Sequence, residues 1–113
     1  MKEYTDAFYI KVIKEFADKI ASYVAPFDTI HDALEDDKTY DAVYLRLQQL
    51  SETTQRLSPA YKQQHPDIQW GDIAGFRNRM VHGYLGEVNV LTIIEVLEEF
   101  LPTLISQLTT PTE

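Results

Sequence analysis

The sequence predicts an all-α fold, an antiparallel bundle of four to five helices that forms a single domain over residues 1–113. Apolar residues recur at spacings of three and four along most of the chain, as they do on the buried face of a helix. The chain has only four glycines, at positions 71, 75, 83 and 86, so the rest of it lacks a residue that weakens helices. No segment alternates apolar and polar residues in the manner of a half-buried strand.

The first half of the chain is predicted to form two long helices joined by an acidic turn. The first helix begins near Tyr4 and ends near Pro26, because proline cannot continue the backbone hydrogen bonding. Residues 28–38 are rich in carboxylates and are predicted to be a solvated turn region. Thr39 is predicted to cap a second helix that continues to about Leu57.

The second half is predicted to contain three further helices. Ser58 and Pro59 are the residue types favoured at an N-cap and at the first helical position, and the short helix that they open should end before Pro66. The next helix should bury one face, composed of Ile73, Phe76, Met80 and Val81.

The last helix is predicted to begin at an Asn89 cap and to continue through Leu108. Pro102 should kink this helix or restart it after Leu101, since proline removes one backbone donor. Its apolar positions, all expected on the buried side, are Val90, Ile93, Ile94, Val96, Leu97, Phe100, Leu101, Leu104, Ile105 and Leu108.

The composition excludes several classes of protein. The chain has no cysteine, which excludes disulfides and thiolate metal sites and is compatible with a reducing cytoplasm, the expected location. The N-terminus lacks the apolar run of a signal peptide, and no apolar stretch approaches membrane-spanning length, so no membrane association is expected. A net charge of −8 argues against broad, sequence-blind coating of nucleic acid but permits a local site.

One stretch is dense in groups capable of acid–base chemistry, Arg77-Asn78-Arg79-Met80-Val81-His82-Gly83-Tyr84. It closes the only cationic segment of the chain. Residues 56–84 carry four basic and two acidic side chains, whereas residues 1–55 carry six against eleven and residues 85–113 none against five. The coincidence of positive charge with acid–base groups predicts an anion site, and phosphate is the anion that arginine binds most readily.

The spacing of Arg77 and His82 limits how they could act together. Five residues along a helix correspond to about 140° around its axis, so the two side chains do not share a face. They can converge if the helix ends between them, which Gly83 would favour, or if a second subunit completes the pocket. The small residues Gly71, Ala74 and Gly75 favour the second option, because they form a low strip that another helix could approach closely.

Arginine and histidine suffice for one reaction without a metal, the cleavage of RNA. The ribose 2′-hydroxyl supplies the attacking group, so an enzyme needs mainly a proton acceptor and a cation for the developing charge. Histidine side chains exchange protons near neutral pH, and arginine clamps phosphate oxygens with two donors. From the residues alone a structural role is equally open, with Arg77, Arg79 and His82 as surface cations near a helix C-terminus and Asn78 as a local hydrogen-bonding residue.

The stretch resembles the R-x4-H-x-Y motif of the HepT-like toxins, a branch of the HEPN superfamily, with Arg77, His82 and Tyr84 at the three fixed positions. The likeness extends in order and spacing over residues 39–105. It includes Thr39-Tyr40-Asp41-Ala42-Val43, Ser58-Pro59, His65-Pro66, Trp70 and Ile73-Ala74-Gly75. Where family members often carry a Gly-Glu-Ala step in the second helix, this chain has Ser51-Glu52-Thr53.

The resemblance implies an HEPN-like bundle that forms a homodimer, with the motifs of two subunits facing one cleft. It implies a metal-independent endoribonuclease with no cofactor, the toxin of a type VII-like HEPN/MNT toxin–antitoxin system. The implied antitoxin is a minimal nucleotidyltransferase of the MntA type that transfers AMP from ATP to the motif tyrosine. By position, Arg77 would hold RNA phosphate, His82 would be the general base or acid, Tyr84 would accept AMP, and Asn78 and Arg79 would support them.

A non-catalytic alternative remains open from the sequence. In it the chain is an HEPN binding module whose cationic cleft binds nucleotide or RNA, or docks a nucleotidyltransferase partner. The intact Arg77, His82 and Tyr84 set favours the enzyme, whereas the net charge of −8 favours the binding module because it repels bulk RNA.

Four further residues invite structural interpretations. His31 and Asp32 suggest a metal site, but the absence of a definite ligand spacing favours an acidic loop. His65, which precedes a proline, is predicted to end a helix, and Trp70 is predicted to anchor the core.

Overall fold

A computed structural model of the chain describes residues 4–82 and 88–111 and confirms the all-α prediction. Four of its helical segments are long, the last being a continuous run over residues 90–107, and two are short. The elements are α1 (Asp6–Val24), α2 (Ile30–Glu35), α3 (Asp37–Thr54), α4 (Pro59–Gln64), α5 (Trp70–His82), α6 (Val90–Glu95), a π-helical turn (Val96–Phe100) and α7 (Leu101–Gln107). Within the described ranges, no helix is both long and apolar enough to cross a membrane.

Side-chain caps begin most of these helices. The predicted caps Ser58 and Asn89 are confirmed, since each side chain accepts a hydrogen bond from the backbone N–H three residues on, at 3.1 and 2.9 Å. Thr5 caps α1 in the same way, accepting from the Phe8 N–H at 3.1 Å. These bonds satisfy backbone donors that have no partner inside a helix, so the starts of the helices follow from local sequence.

The acidic region 28–38 departs from its prediction as a turn. Thr29 accepts a hydrogen bond from the Asp32 N–H at 3.0 Å and so begins the short helix α2. The cap of α3 is Asp36 and not Thr39, because the Asp36 carboxylate accepts bonds from both the Thr39 hydroxyl, at 2.7 Å, and its N–H, at 3.0 Å. These two bonds lower the pKa of Asp36. The helix ends at Thr54, three residues before the predicted Leu57.

The core lies chiefly between α1 and α3, which are the most extensively packed pair of helices. Ile10 and Ile13 of α1 and Val43 and Leu47 of α3 are at most 2 % exposed. The run over 90–107 packs on α2 through α6 and on α1 through α7, and it contributes Ile93, Leu97 and Leu104 to the same core. In contrast, α5 packs mainly on α3. One side of α5 is therefore left uncovered by the rest of the described chain.

The predicted restart near Pro102 takes the form of a π-helical turn just before it, after which the α-helix resumes at Leu101 with the proline in its first turn. The Leu101 N–H bonds to the Val96 carbonyl, five residues back instead of four, and this wider turn accommodates the missing donor of Pro102. The extra residue in the turn shifts the apolar stripe. As a result Phe100, predicted to be buried, is 58 % exposed.

The segment α4 fixes the start of α5. Its end at His65 is confirmed, and the His65 carbonyl accepts a hydrogen bond from the Trp70 indole N–H at 3.1 Å. The His65 ring stacks on Tyr61, whose hydroxyl donates to the Thr109 carbonyl at 2.8 Å. Burial raises the pKa of Tyr61. Trp70 is only half-buried, so it joins the start of α5 to α4 at the edge of the core and does not anchor the centre.

Candidate ribonuclease site

The helix α5 carries five of the six motif residues from Arg77 to His82 on its surface and one, Met80, in the core. The helix continues through His82, where this described range of the chain ends. The option that the helix ends between Arg77 and His82 is therefore wrong. Because the two side chains remain about 140° apart on one regular helix, they do not meet within one subunit.

Arg77 is held at the junction of α5 and α3. Its Nη2 lies 3.6 Å from the Glu52 Oε1, and its Nη1 donates to the Asn78 Oδ1 at 3.1 Å. Its Nε is buried and has no partner among the described residues. Each Nη carries two N–H groups, so one donor on each nitrogen remains for a ligand oxygen.

Glu52 is the site residue that sequence reasoning missed. Its side chain is 42 % exposed, against 25 % for Arg77, so the ion pair lies at the surface and restrains the arginine more than it stabilises the fold. The sequence does contain a signal that could have identified Glu52. Glu52 is the only carboxylate between residues 42 and 66, within a segment that is otherwise neutral or cationic.

The two residues assigned supporting roles contact different partners. Asn78 is exposed and bonds to Arg77, which orients the guanidinium. Arg79 is exposed on a different side of the helix, with its guanidinium carbon 5.8 Å from the centre of the Phe76 ring. The contact restrains Arg79 by a cation–π interaction. Arg79 is therefore a second cation on α5, on a different side of the helix from Arg77.

His82 lies on an open face of α5. Helical spacing places Gly71, Gly75, Asn78 and His82 within about 60° of one another around the axis. All four are exposed, and a Cβ atom added at either glycine would meet nothing within 4 Å. We call these four residues the open face of α5. Ala74, the third member of the predicted strip, is half-buried at its edge. Val81, predicted to be buried, is 38 % exposed.

Tyr44 of α3 secures the C-terminal end of α5. Its hydroxyl donates to the Met80 carbonyl at 2.9 Å, across 36 positions of sequence. A backbone carbonyl oxygen has two lone pairs, so the Met80 carbonyl can accept this bond from a side chain. This bond fixes the last turn of α5, and with it His82, relative to the core.

Two other predicted residues lie apart from this site. Tyr84, the expected AMP acceptor, lies outside the described residues. The cluster of His31, Asp32 and Glu35 is on α2, with ligand atoms within 4.8 Å of one another and the His31 Nδ1 2.9 Å from the Glu35 Oε1. All three are exposed, and such groups are common in proteins without an ion. The region is a capped helix and not the predicted acidic loop.

A comparison with known protein families identifies the family of this chain. The family model described as Ribonuclease HepT-like matches residues 13–110, which include the whole of α3, α4 and α5. The chain belongs to the HepT-like family. The resemblance predicted from Arg77, His82 and the segments before them is therefore confirmed, and with it the assignment to the HEPN superfamily.

Two relatives of this HepT-like chain illustrate the similarity. The protein "Probable ribonuclease HepT" of Thermococcus cleftensis is 30% identical over 95 residues, which cover 84% of this chain and 78% of that protein. The protein "Putative RNase TTE0752" of Caldanaerobacter subterraneus subsp. tengcongensis is 28% identical over 79 residues, 70% of each chain. No solved structure is significantly similar to the HepT-like chain.

Proposed function

We propose that this chain is a metal-independent endoribonuclease in which Arg77 binds the scissile phosphate and His82 is the general base. The observation that carries the proposal is the orientation of Arg77. Glu52 and Asn78 hold its guanidinium within the only cationic segment, and each of these contacts leaves one N–H on the same nitrogen for a ligand. Membership in the HepT-like family and relatives named as ribonucleases support RNA as the substrate.

The reaction needs only a proton acceptor and a cation from the protein. The 2′-oxygen attacks the adjacent phosphorus, a new P–O bond forms, and the bond to the 5′-oxygen of the next nucleotide breaks. His82 accepts the proton from the 2′-hydroxyl, and solvent supplies a proton to the departing 5′-oxygen. Arg77 neutralises the charge that grows on the phosphoryl oxygens. The products are a 2′,3′-cyclic phosphate and a 5′-hydroxyl.

The proposed site needs two subunits. Arg77 and His82 point about 140° apart on one helix, so a single phosphate and its neighbouring 2′-hydroxyl cannot contact both within one chain. A second copy packed against the open face of α5 would border His82, and in the proposed dimer the Arg77 of one copy and the His82 of the other contact the same RNA strand. Gly71 and Gly75 permit that approach, since neither has a side chain to hold the helices apart. This geometry supports a homodimer with composite sites.

The proposal includes a partner that controls the nuclease. A minimal nucleotidyltransferase of the MntA type would act as antitoxin in a HEPN/MNT toxin–antitoxin pair. In this reaction the Tyr84 oxygen attacks the α-phosphorus of ATP, pyrophosphate leaves, and the tyrosine proton passes to solvent. The AMP phosphodiester on Tyr84, two residues from His82, adds bulk and negative charge where RNA phosphate would bind.

Cleavage of RNA in EDTA tests the chemistry. We expect the purified protein, free of AMP on Tyr84 by mass spectrometry, to cut a single-stranded RNA in excess EDTA. A matched oligonucleotide with 2′-deoxyribose at the cut nucleotide should resist cleavage there, because the attacking group is absent. Product analysis should find the 2′,3′-cyclic phosphate.

Two results would contradict this proposal. Cleavage at the 2′-deoxy position would show that the nucleophile is not the 2′-hydroxyl. RNA binding without cleavage by unmodified protein would instead establish the non-catalytic binding module as its function.

The dimer proposal predicts that Gly75→Leu separates the subunits. Leucine favours helix more than glycine does, and a Cβ atom added at this exposed position meets nothing within 4 Å, so the monomer should remain folded. The bulk should block close approach of a second copy. We expect light scattering to change from dimer to monomer and RNA cleavage to fall with it.

Ala21→Leu is the matched control, since Ala21 is an exposed helical position on α1. It should remain dimeric and active. A Gly75→Leu variant that dimerises as tightly as the unmodified protein would exclude the open face of α5 from the interface.

A further inference from the structure

A groove runs between α5 and the helical run over residues 90–107, and Asp72, Ile73, Phe76 and Arg79 line it on α5. Its volume is about 610 Å³, and α3 forms its floor. We call it the interhelical groove. It exists because α5 packs on α3 and scarcely touches the last helices, so the two walls are held apart.

The wall and floor of the groove are largely apolar. Leu47 of α3, Ile73 and Phe76 of α5, and Val96 and Leu104 of the last helices line it. At its rim Phe100 is 58 % exposed, because the π-helical turn rotates this ring away from the core. A concave apolar surface that carries an exposed phenyl ring is typical of a site that binds another molecule.

Charge surrounds this apolar surface on both sides. Asp67 and Asp72 border it at the α5 wall, and Glu95 and Glu99 border it at the opposite wall. All four carboxylates are exposed. Arg79 is the only Lys or Arg among the described residues that line the groove. The rim is therefore strongly anionic.

We propose that the interhelical groove binds a cationic amphipathic helix of a partner protein. The apolar face of such a helix would cover the groove, and lysine or arginine side chains on its two flanks would reach the carboxylates of both walls. The stretch from Thr92 to Gln107 that lines one wall extends about 22 Å at 1.5 Å per residue, enough for about four turns of helix. The inference is independent of the proposed nuclease activity.

Other occupants fit the charge less well. RNA phosphates would be repelled by the four carboxylates of the rim. No helix in the described ranges of a second copy carries more than one surplus lysine or arginine over its carboxylates. The most lysine-rich helix, α1, carries three lysines against three carboxylates and already packs its apolar face on α3.

The test uses two synthetic peptides of about 14 residues, one built from leucine and lysine and one from leucine and glutamate, both with amphipathic helical spacing. Fluorescence anisotropy should detect binding of the lysine peptide and weakening of that binding by salt. The glutamate peptide should bind at least about tenfold more weakly, since the rim repels it. Phe100→Ala, which changes no charge, should weaken binding of the lysine peptide.

Charge reversal distinguishes the groove from the overall negative charge of the protein. Glu95→Lys with Glu99→Lys should weaken lysine-peptide binding by about tenfold or more. Glu15→Lys with Asp18→Lys changes the net charge equally at exposed positions on α1 and should have less than about a threefold effect.

Equal weakening by the two charge-reversed variants would overturn the proposal, because binding would then be general electrostatic attraction. Equal affinity for the two peptides would do the same, since the rim would have no role. A change from dimer to monomer in the Glu95→Lys, Glu99→Lys protein would assign the groove to contact between copies and also exclude a partner helix.

Discussion

His82→Ala should reduce RNA cleavage by about 100- to 10,000-fold, the usual contribution of a positioned general base. The protein should remain folded and dimeric, because His82 is exposed on α5 and contributes nothing to the core. RNA binding should change much less than cleavage, since Arg77 and Arg79 remain. Initial rates in EDTA, with anisotropy for RNA affinity and thermal unfolding for stability, would measure the three quantities separately.

The chain offers a matched control for this experiment. His31 is also an exposed helical histidine, but it lies on α2 and pairs with Glu35. His31→Ala should cleave RNA at the unmodified rate. If His82→Ala cleaved as fast as His31→Ala, the imidazole of His82 would have no part in proton transfer.

Arg77→Ala should lose both RNA affinity and cleavage, with a loss of rate of about 100- to 1,000-fold, as expected for removing a donor to the transition state. Arg77→Lys should recover little, because an ammonium cannot replace the two-pronged guanidinium contact. Glu52 would be left partly exposed to solvent, so the change should be tolerated by the fold. Arg56→Ala is the control, since Arg56 is an exposed cation of the same segment.

Combining the two inactive variants would test the composite site directly. A heterodimer of Arg77→Ala with His82→Ala has one site that contains both mutations and one site that contains neither, if each site uses residues from both subunits. The purified heterodimer should therefore recover about half of the unmodified activity, as two-fold symmetry requires. Each variant alone should stay inactive.

The opposite pattern would be equally informative. If each site were confined to one subunit, both sites of the heterodimer would carry one mutation and no activity would return. A heterodimer that is stable by light scattering and still inactive would refute composite sites while leaving the roles of Arg77 and His82 in place.

Much of the fold could be predicted because helices depend on local interactions. The caps at Ser58 and Asn89 and the end at His65 follow from hydrogen bonds within a few residues, and all three are confirmed. The cap of α3 was predicted wrongly because two local signals competed there. Asp36 and Thr39 are both good caps, and the carboxylate prevailed because it accepts two hydrogen bonds from Thr39.

The exposure of Phe100 could not be predicted from helical periodicity alone. Regular helical spacing places this ring with Leu97 and Leu104 on the buried side. The π-helical turn before Pro102 changes the phase of the helix at that point and turns the ring outward. Whether a proline kinks, ends or widens a helix depends on the packing around it, which the local sequence does not encode.

Some features of the candidate site could likewise be predicted from the sequence, and others could not. Residue types and spacing were enough to identify Arg77 and His82, to place them on separate faces of a helix, and to connect the chain with the HepT-like family. Tertiary packing was needed to bring Glu52 to Arg77, to attach Tyr44 to the end of α5, and to leave the interhelical groove open. The reason is physical. Helical periodicity and capping act over a few residues, whereas these contacts join positions 25 to 36 residues apart, and only the packed fold sets such distances.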